Sequence, residues 1–196
     1  MRRGPAKHGM PPVGARDARL LILGSLPGDE SIRQQKYYAH PQNQFWRILC
    51  AVFDAPFTTV YEERLALLDR HRIAVWDVVH NASRPGSLDA AITAPVANDF
   101  LAFFTAQTQI RTIAFNGQKA AGLFKSCVAD ADVVALTAHI PKITLPSTSP
   151  AAATLKLDQK IERWRAFLTT DTNGLNPAEK PVTPQAARRA GSTGRR

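Results

Sequence analysis

Leu20-Leu21-Ile22-Leu23-Gly24-Ser25-Leu26-Pro27-Gly28 opens as an apolar run of strand length and ends in a turn with two glycines and a proline. A polar and aromatic cluster follows, Tyr37-Tyr38-Ala39-His40-Pro41-Gln42-Asn43-Gln44-Phe45-Trp46. Helical spacing then begins near Asn43, through Phe45, Trp46, Ile48, Leu49, Val52 and Phe53. A buried strand that delivers such a loop at its C-terminal end is the usual plan of a ligand crevice in an open α/β sheet.

The same plan recurs along the chain. Arg72–Val79 reads as a second strand, followed by His80–Ser87, a loop by composition. Arg111–Phe115 reads as a third strand, ended by Asn116-Gly117. Lys142–Leu145 is the last, ending in Pro146-Ser147-Thr148-Ser149-Pro150, and Asp132–Leu136 is a weaker strand. Helices are expected over Thr59–Arg70, Asp99–Thr105, Gln118 to about Cys127, and about Ala151 to Leu168. This alternation predicts a three-layer α/β/α sandwich with a central, mostly parallel four-stranded sheet. In such a sheet the loops beginning at Gly24, Asp77, Asn116 and Pro146 share one edge and converge on one site.

Residues 1–19 and 171–196 lack periodicity and read as disordered basic tails around one domain at 20–170. The net charge is +9. Residues 1–19 carry five Lys/Arg against one acid, and residues 171–196 carry five against two, so most of the basicity lies outside the domain. Basic tails suit salt-sensitive contact with nucleic acid, or serve only as solubilising segments. No apolar run approaches the ~20 residues that span a bilayer, and the basic N-terminus lacks the apolar segment of a signal peptide. Two cysteines, Cys50 and Cys127, supply neither a disulfide framework nor a metal or iron–sulfur site. A reduced, bacterial cytoplasm or nucleoid is the expected location, with no membrane partner and no cofactor.

No phosphate-binding Gly-rich loop, zinc motif or nucleophile elbow is present. A serine hydrolase built on Ser25 or Ser147 is therefore disfavoured. His40 and His80 lie in pocket loops, as general acid–base groups or as loop-fixing hydrogen-bond donors. Tyr37, Tyr38 and Phe45 offer a stacking surface for a nucleobase, although Phe45 and Trp46 fit the core better. Asp77 and Asn116 end adjacent strands, where they read a ligand's edge or cap a turn. Pro146, Ser147, Thr148 and Ser149 form a hydroxyl-rich turn before a helix, which suits a phosphate clasp or an N-cap.

Taken in order, Gly24-Ser25-Leu26-Pro27-Gly28, Tyr38-Ala39-His40-Pro41-Gln42-Asn43-Gln44-Phe45-Trp46 and Pro146-Ser147-Thr148-Ser149-Pro150 resemble the uracil-DNA glycosylase superfamily. The branch they resemble is the hypoxanthine-DNA (deoxyinosine) glycosylases, over about residues 19–168. That resemblance implies a monomeric enzyme without metal or cofactor, whose partner is DNA containing a deaminated base. The base is flipped out and its N-glycosidic bond is hydrolysed through an oxocarbenium-like sugar. The best-known uracil enzymes place a water-orienting Asp where this chain has Leu26, and the mismatch-specific branch places Asn there. In the hypoxanthine branch the role passes to the Asn of the His-Pro-x-Asn segment, here Asn43, with Asp29 as its rival. Ser25, Leu26, Gly28, Tyr38, Asp77 and Asn116 are the implied base-binding residues. Gly28 replaces a Tyr and makes room for a purine, and Tyr38 is the stacking plate. Asp77, if ionised, would repel uracil O4 and accept a purine N–H. Pro146, Ser147, Thr148 and Ser149 are implied at the DNA backbone. The apolar wedge that relatives carry in this last loop has no bulky counterpart in Pro150-Ala151-Ala152. Two alternatives stay open: a mismatch-specific uracil/thymine glycosylase, and a nucleic-acid-binding module without activity.

Overall fold

A computed structural model describes residues 6–169. Its centre is strand β3 (Leu20–Gly24), every residue of which is buried. An uninterrupted apolar run has no polar face to turn to water, so such a strand belongs inside a sheet covered on both sides. β3 pairs in parallel with β4 (Ile73–Asp77) on one side and with β7 (Thr112–Asn116) on the other. β7 in turn pairs in parallel with β8 (Lys142–Leu145). These are the four expected strands. The sheet has a fifth, β2 (Val13–Gly14), antiparallel to β4 at the edge, giving the order β2-β4-β3-β7-β8.

β1 (Ala6–His8) pairs with β5 (Val79–Ser83), and β5 pairs with β6 (Thr93–Ala97) in a separate antiparallel three-stranded sheet. Residues 6–19 are therefore ordered, contrary to the disordered tail expected for 1–19. The reason is burial: Met10, Ala15 and Ala18 are in the core. The Met10 carbonyl also accepts hydrogen bonds from Tyr37 Oη at 3.2 Å and Trp76 Nε1 at 2.9 Å. The tail expected over 171–196 lies outside the described residues.

The helices are α1 (Asp29–Gln34), α2 (Phe45–Val52), α3 (Tyr61–Arg70), α4 (Phe100–Ala106), α5 (Gln118–Cys127), α6 (Ala131–Thr137) and α7 (Leu157–Leu168). α2 packs on α7 and α4 on α6, while α3 covers β2 and β4, and α5 covers β7 and β8. Three expectations need correction. Residues 132–136 form helix α6 rather than a strand, because the Asp130 side chain accepts from the amides of Asp132 and Val133 and starts a helix there. The segment from His80, expected as loop, begins as strand β5; its polar residues carry no apolar alternation, but β1 and β6 satisfy its backbone on both sides. The last helix starts at Leu157, six residues later than expected, and α1 had no counterpart in the expected elements.

Candidate active site

The C-terminal ends of β3, β4, β7 and β8 enclose a cavity of about 300 Å³. Every residue singled out from the sequence as a site candidate lines it, apart from Pro146, His80 and Phe45, the last of which is wholly buried in the core. Pro146 instead accepts a hydrogen bond on its carbonyl from Trp164 Nε1 at 2.9 Å, which ties the last loop to α7. His80 stands on β5 with its ring edge toward His8.

Asp77 occupies the wall of the cavity. It is 3 % exposed and its Oδ2 has no hydrogen-bond partner. Burial, reinforced by the charge of Asp89 and opposed by Arg84, pushes its pKa up to about 8. At neutral pH the group is thus a carboxylic acid, and the repulsion expected of an ionised Asp77 does not operate. Gly24 permits this placement. A Cβ on Gly24 would lie far inside van der Waals contact with Asp77 Oδ1 and 3.1 Å from the Tyr38 hydroxyl.

Tyr38 adopts a left-handed backbone, φ 54°, and stacks on Phe45 with ring centroids 3.9 Å apart. Phe45 covers one face of the ring, and Tyr38 also lines the cavity. Its hydroxyl lies beside Asp77 and Asn116 without a well-formed hydrogen bond, and burial raises its pKa strongly. Tyr37 is not part of a stacking surface; it is buried, with its amide held by Tyr61 Oη and its carbonyl by Trp46 Nε1.

Asn43 sits at the start of α2. Its Oδ1 accepts from the Phe45 amide at 3.0 Å and from Thr148 Oγ1 at 3.0 Å. Thr148 Oγ1 in turn accepts from Asn116 Nδ2 at 2.9 Å, and the Thr148 amide donates to Asn116 Oδ1 at 2.9 Å. Backbone N–H groups fix both ends of this chain, so the direction of each hydrogen bond is determined. Thr148 is completely buried. Its hydroxyl and amide are both engaged within the protein, which makes it the pin between three loops. Ser147 and Ser149 are partly exposed and line the cavity, with Ser147 Oγ accepting from the Ser149 amide at 3.2 Å. Gly117, at φ +98°, allows this turn to close in, since a Cβ there would come 2.8 Å from Ser147 Cβ.

Asp29 lines the cavity but makes no hydrogen bond to this network. Its carboxylate pairs with Lys7, and that hydrogen bond holds it below the usual Asp range. Asp89 is the acid that sequence reasoning missed. It lines the cavity, accepts from Ser25 Oγ at 2.7 Å, and stands 3.6 Å from Arg84. Burial raises its pKa, while Ser25 and Arg84 oppose the rise. Arg84 is wholly buried and donates to the carbonyls of Leu26 and Pro27. Lys160 was missed too. It is 2 % exposed and donates to Gln44 Oε1 at 2.8 Å and the Ala152 carbonyl at 2.9 Å, joining α7 to the residues that follow Asn43 and Ala151 of the cavity lining. A usable signal was present: Lys160, Trp164 and Leu168 recur every fourth residue, which puts the lysine on the buried stripe of its helix.

The chain matches the model of the uracil DNA glycosylase superfamily over residues 11–168. A hypoxanthine DNA glycosylase of Methanosarcina acetivorans is 44 % identical over 115 residues, which cover 58 % of this chain and 73 % of that protein. One from Methanosarcina barkeri is 40 % identical over 114 residues, covering 58 % and 72 %. A solution NMR structure from Methanosarcina acetivorans, provisionally described as a uracil DNA glycosylase, superimposes with a TM-score of 0.70 at 35 % identity, covering 87 % of this chain and 99 % of that one.

Proposed function

Because this chain belongs to the uracil DNA glycosylase superfamily, we propose that it excises hypoxanthine from DNA, hydrolysing the N-glycosidic bond of a flipped deoxyinosine to leave an abasic site. Membership of that superfamily makes it a DNA glycosylase, and the relatives named for hypoxanthine support the choice of base. The observation that carries the reading is the buried acid at Asp77 with its unpartnered oxygen. Hypoxanthine presents O6, an acceptor, next to N1–H, a donor. A protonated carboxyl offers one donor and one acceptor side by side and pairs with both. Donation to O6 also stabilises the negative charge that the base gathers as it departs, in a site where water does not screen it. Uracil and xanthine carry the same adjacent pair and are the secondary substrates of this pocket. Tyr38 stacks on the flipped base with the face that Phe45 leaves uncovered. Ser147 and Ser149 contact the DNA backbone, and the protein acts as a monomer.

Asn43 positions the attacking water. An amide carbonyl is too weak a base to remove a proton outright. It can hold the water while the sugar cation forms, which suffices when bond breaking runs ahead of attack. A second reading has its own support. Asn43 Oδ1 already accepts two hydrogen bonds, whereas Asp89 brings a carboxylate to the same cavity. Asp29, paired with Lys7, is the weakest of the three candidates.

Duplexes containing one deoxyinosine, uracil, xanthine or thymine, treated with the protein and then with alkali, test the reading. Strand breaks are expected at deoxyinosine first. Breaks confined to uracil and thymine opposite guanine would favour the mismatch-specific alternative, and no breaks at any of the four would sink the enzymatic reading.

A further inference from the structure

The donor–acceptor pair that marks hypoxanthine is reversed in its parent base. Adenine carries an amino donor where hypoxanthine has O6, and an acceptor at N1 where hypoxanthine has N–H. Uracil and cytosine differ in the same way. A carboxyl group meets either order, because its proton can sit on either oxygen. Asp77 by itself therefore pairs with a deaminated base and with its undamaged parent alike. A neighbour must decide which oxygen keeps the proton.

The Tyr38 hydroxyl is placed to do so. It is fully buried without a hydrogen-bond partner in the free protein, and so is Asp77 Oδ2. A buried polar atom left unpaired destabilises the fold. A phenylalanine would stack on Phe45 equally well without that penalty, so the ring alone does not account for the hydroxyl. The hydroxyl and Asp77 Oδ1 share one corner of the cavity, since both crowd the point where a Cβ on Gly24 would stand. The direction of the hydrogen bonds follows from the backbone. The Thr148 amide donates to Asn116 Oδ1 and so fixes the orientation of that side-chain amide. Thr148 Oγ1 takes one hydrogen of Asn116 Nδ2, which leaves the other. Asn116 favours the ionised form of Tyr38, as a donor does and an acceptor does not. With Asn116 donating toward it, the hydroxyl keeps its own hydrogen to give, and Asp77 is the acceptor beside it.

We propose that the Tyr38 hydroxyl donates to Asp77 Oδ1 when a base fills the cavity, which fixes Oδ1 as the carbonyl oxygen and leaves the proton on Oδ2. The proposal rests on the reading of Asp77 as the group that pairs with the base. In the reversed order Oδ1 would carry the proton, and the Tyr38 hydrogen would have no acceptor. Tyr38 thus determines specificity through Asp77: it separates deaminated bases from their amino parents, in addition to stacking on them.

Tyr38→Phe tests this in the full chain, with duplexes holding one 2′-fluoro-deoxyinosine or one 2′-fluoro-deoxyadenosine. These sugars resist hydrolysis, so affinity is read without chemistry. Wild type is expected to prefer the inosine duplex, and Tyr38→Phe to narrow that preference about tenfold, the worth of one hydrogen bond. In an Asp77→Ala background the same change is expected to leave the preference where it is, because the hydroxyl acts only through the carboxyl. Tyr38→Phe is also expected to melt no lower than wild type, since the hydroxyl it removes has no partner in the free protein. A preference that Tyr38→Phe does not narrow would overturn the proposal. So would affinities for the two duplexes that fall in parallel, or a narrowing that persists in full beside Asp77→Ala. Alkali-labile breaks at ordinary deoxyinosine separate the two readings. Breaks by wild type together with an unnarrowed preference sink this proposal alone, whereas no breaks refute the glycosylase reading, and the proposal with it.

Discussion

Asp77 is the residue whose chemistry most depends on its surroundings. Its folded pKa of about 8 stands well above the ordinary 3.8. Between those two values the folded chain holds a proton that the unfolded chain has lost. Asp77 therefore makes stability fall as pH rises through this window, and the fall levels off above about pH 8. Asp77→Asn keeps the shape and removes the titration, so its Tm relative to wild type should climb from pH 5 to pH 8, as calorimetry would record. The same substitution keeps a donor and an acceptor against the base. Wild-type excision should decline above about pH 8, and the Asn variant should lack that decline; a decline that persists in Asp77→Asn would assign it to another group. Asn43 allows a similar separation of roles. Asn43→Ser retains an oxygen that can accept from the Phe45 amide, whereas Asn43→Ala forfeits both hydrogen bonds on Oδ1 and should lose about 1 kcal/mol in denaturant unfolding. Both should slow single-turnover excision by about a hundredfold or more if the amide holds the water. Full activity in Asn43→Ala together with loss in Asp89→Asn would move that role to Asp89.

At the scale of elements, four strands and the edge on which their loops meet were legible because each is a short run, apolar in β3, β4 and β7 and β-branched in β8, that stops at a turn-forming or polar residue. Strand β5 was not, since His80-Asn81-Ala82-Ser83 is polar and becomes a strand only through its partners β1 and β6. Helix α6 was misread because Val133-Val134 favours strand locally, while the Asp130 cap and burial at Val133 and Thr137, four residues apart, belong to a helix. The order within residues 6–19 was illegible for a related reason: the contacts that fix Met10 come from Tyr37 and Trp76, distant in sequence. Removing residues 1–14 should therefore cost at least about 2 kcal/mol through Met10 alone, readable as a lower denaturant midpoint, and is not a harmless trimming of a tail. Lys160 makes the opposite prediction. Its ammonium faces two uncharged oxygens and lacks an acidic partner among its hydrogen bonds. Lys160→Met should leave stability within about 1 kcal/mol, since an apolar isostere avoids the desolvation of a buried charge. The loops flanking Gln44 and Ala152 then lose their tether, and excision should slow at subsaturating DNA more than at saturation.

Across the whole molecule, most of the net charge lies towards the two ends of the sequence. Residues 171–196 carry a net +3, residues 1–19 a net +4 and residues 20–170 a net +2. Deleting residues 171–196 should reduce the slope of log affinity against log salt by at most about three, leaving the excision rate at saturating protein intact. A non-catalytic binding module dominated by its basic segments would lose its function outright. The pocket itself is held by contacts between loops: Arg84 on the carbonyls of the β3 loop, Thr148 between Asn43 and Asn116, and Lys160 behind them. Gly24 is caught within that web, since any side chain there collides with Asp77, whereas a Cβ on Gly28 meets only Ser87, at an ordinary 3.6 Å. The two glycines of one short loop thus have opposite evolutionary freedom. Position 24 can change only in a lineage that has already given up the acid at 77. Position 28 is open to drift one methyl at a time, and divergence in substrate range among descendants of this chain should begin there.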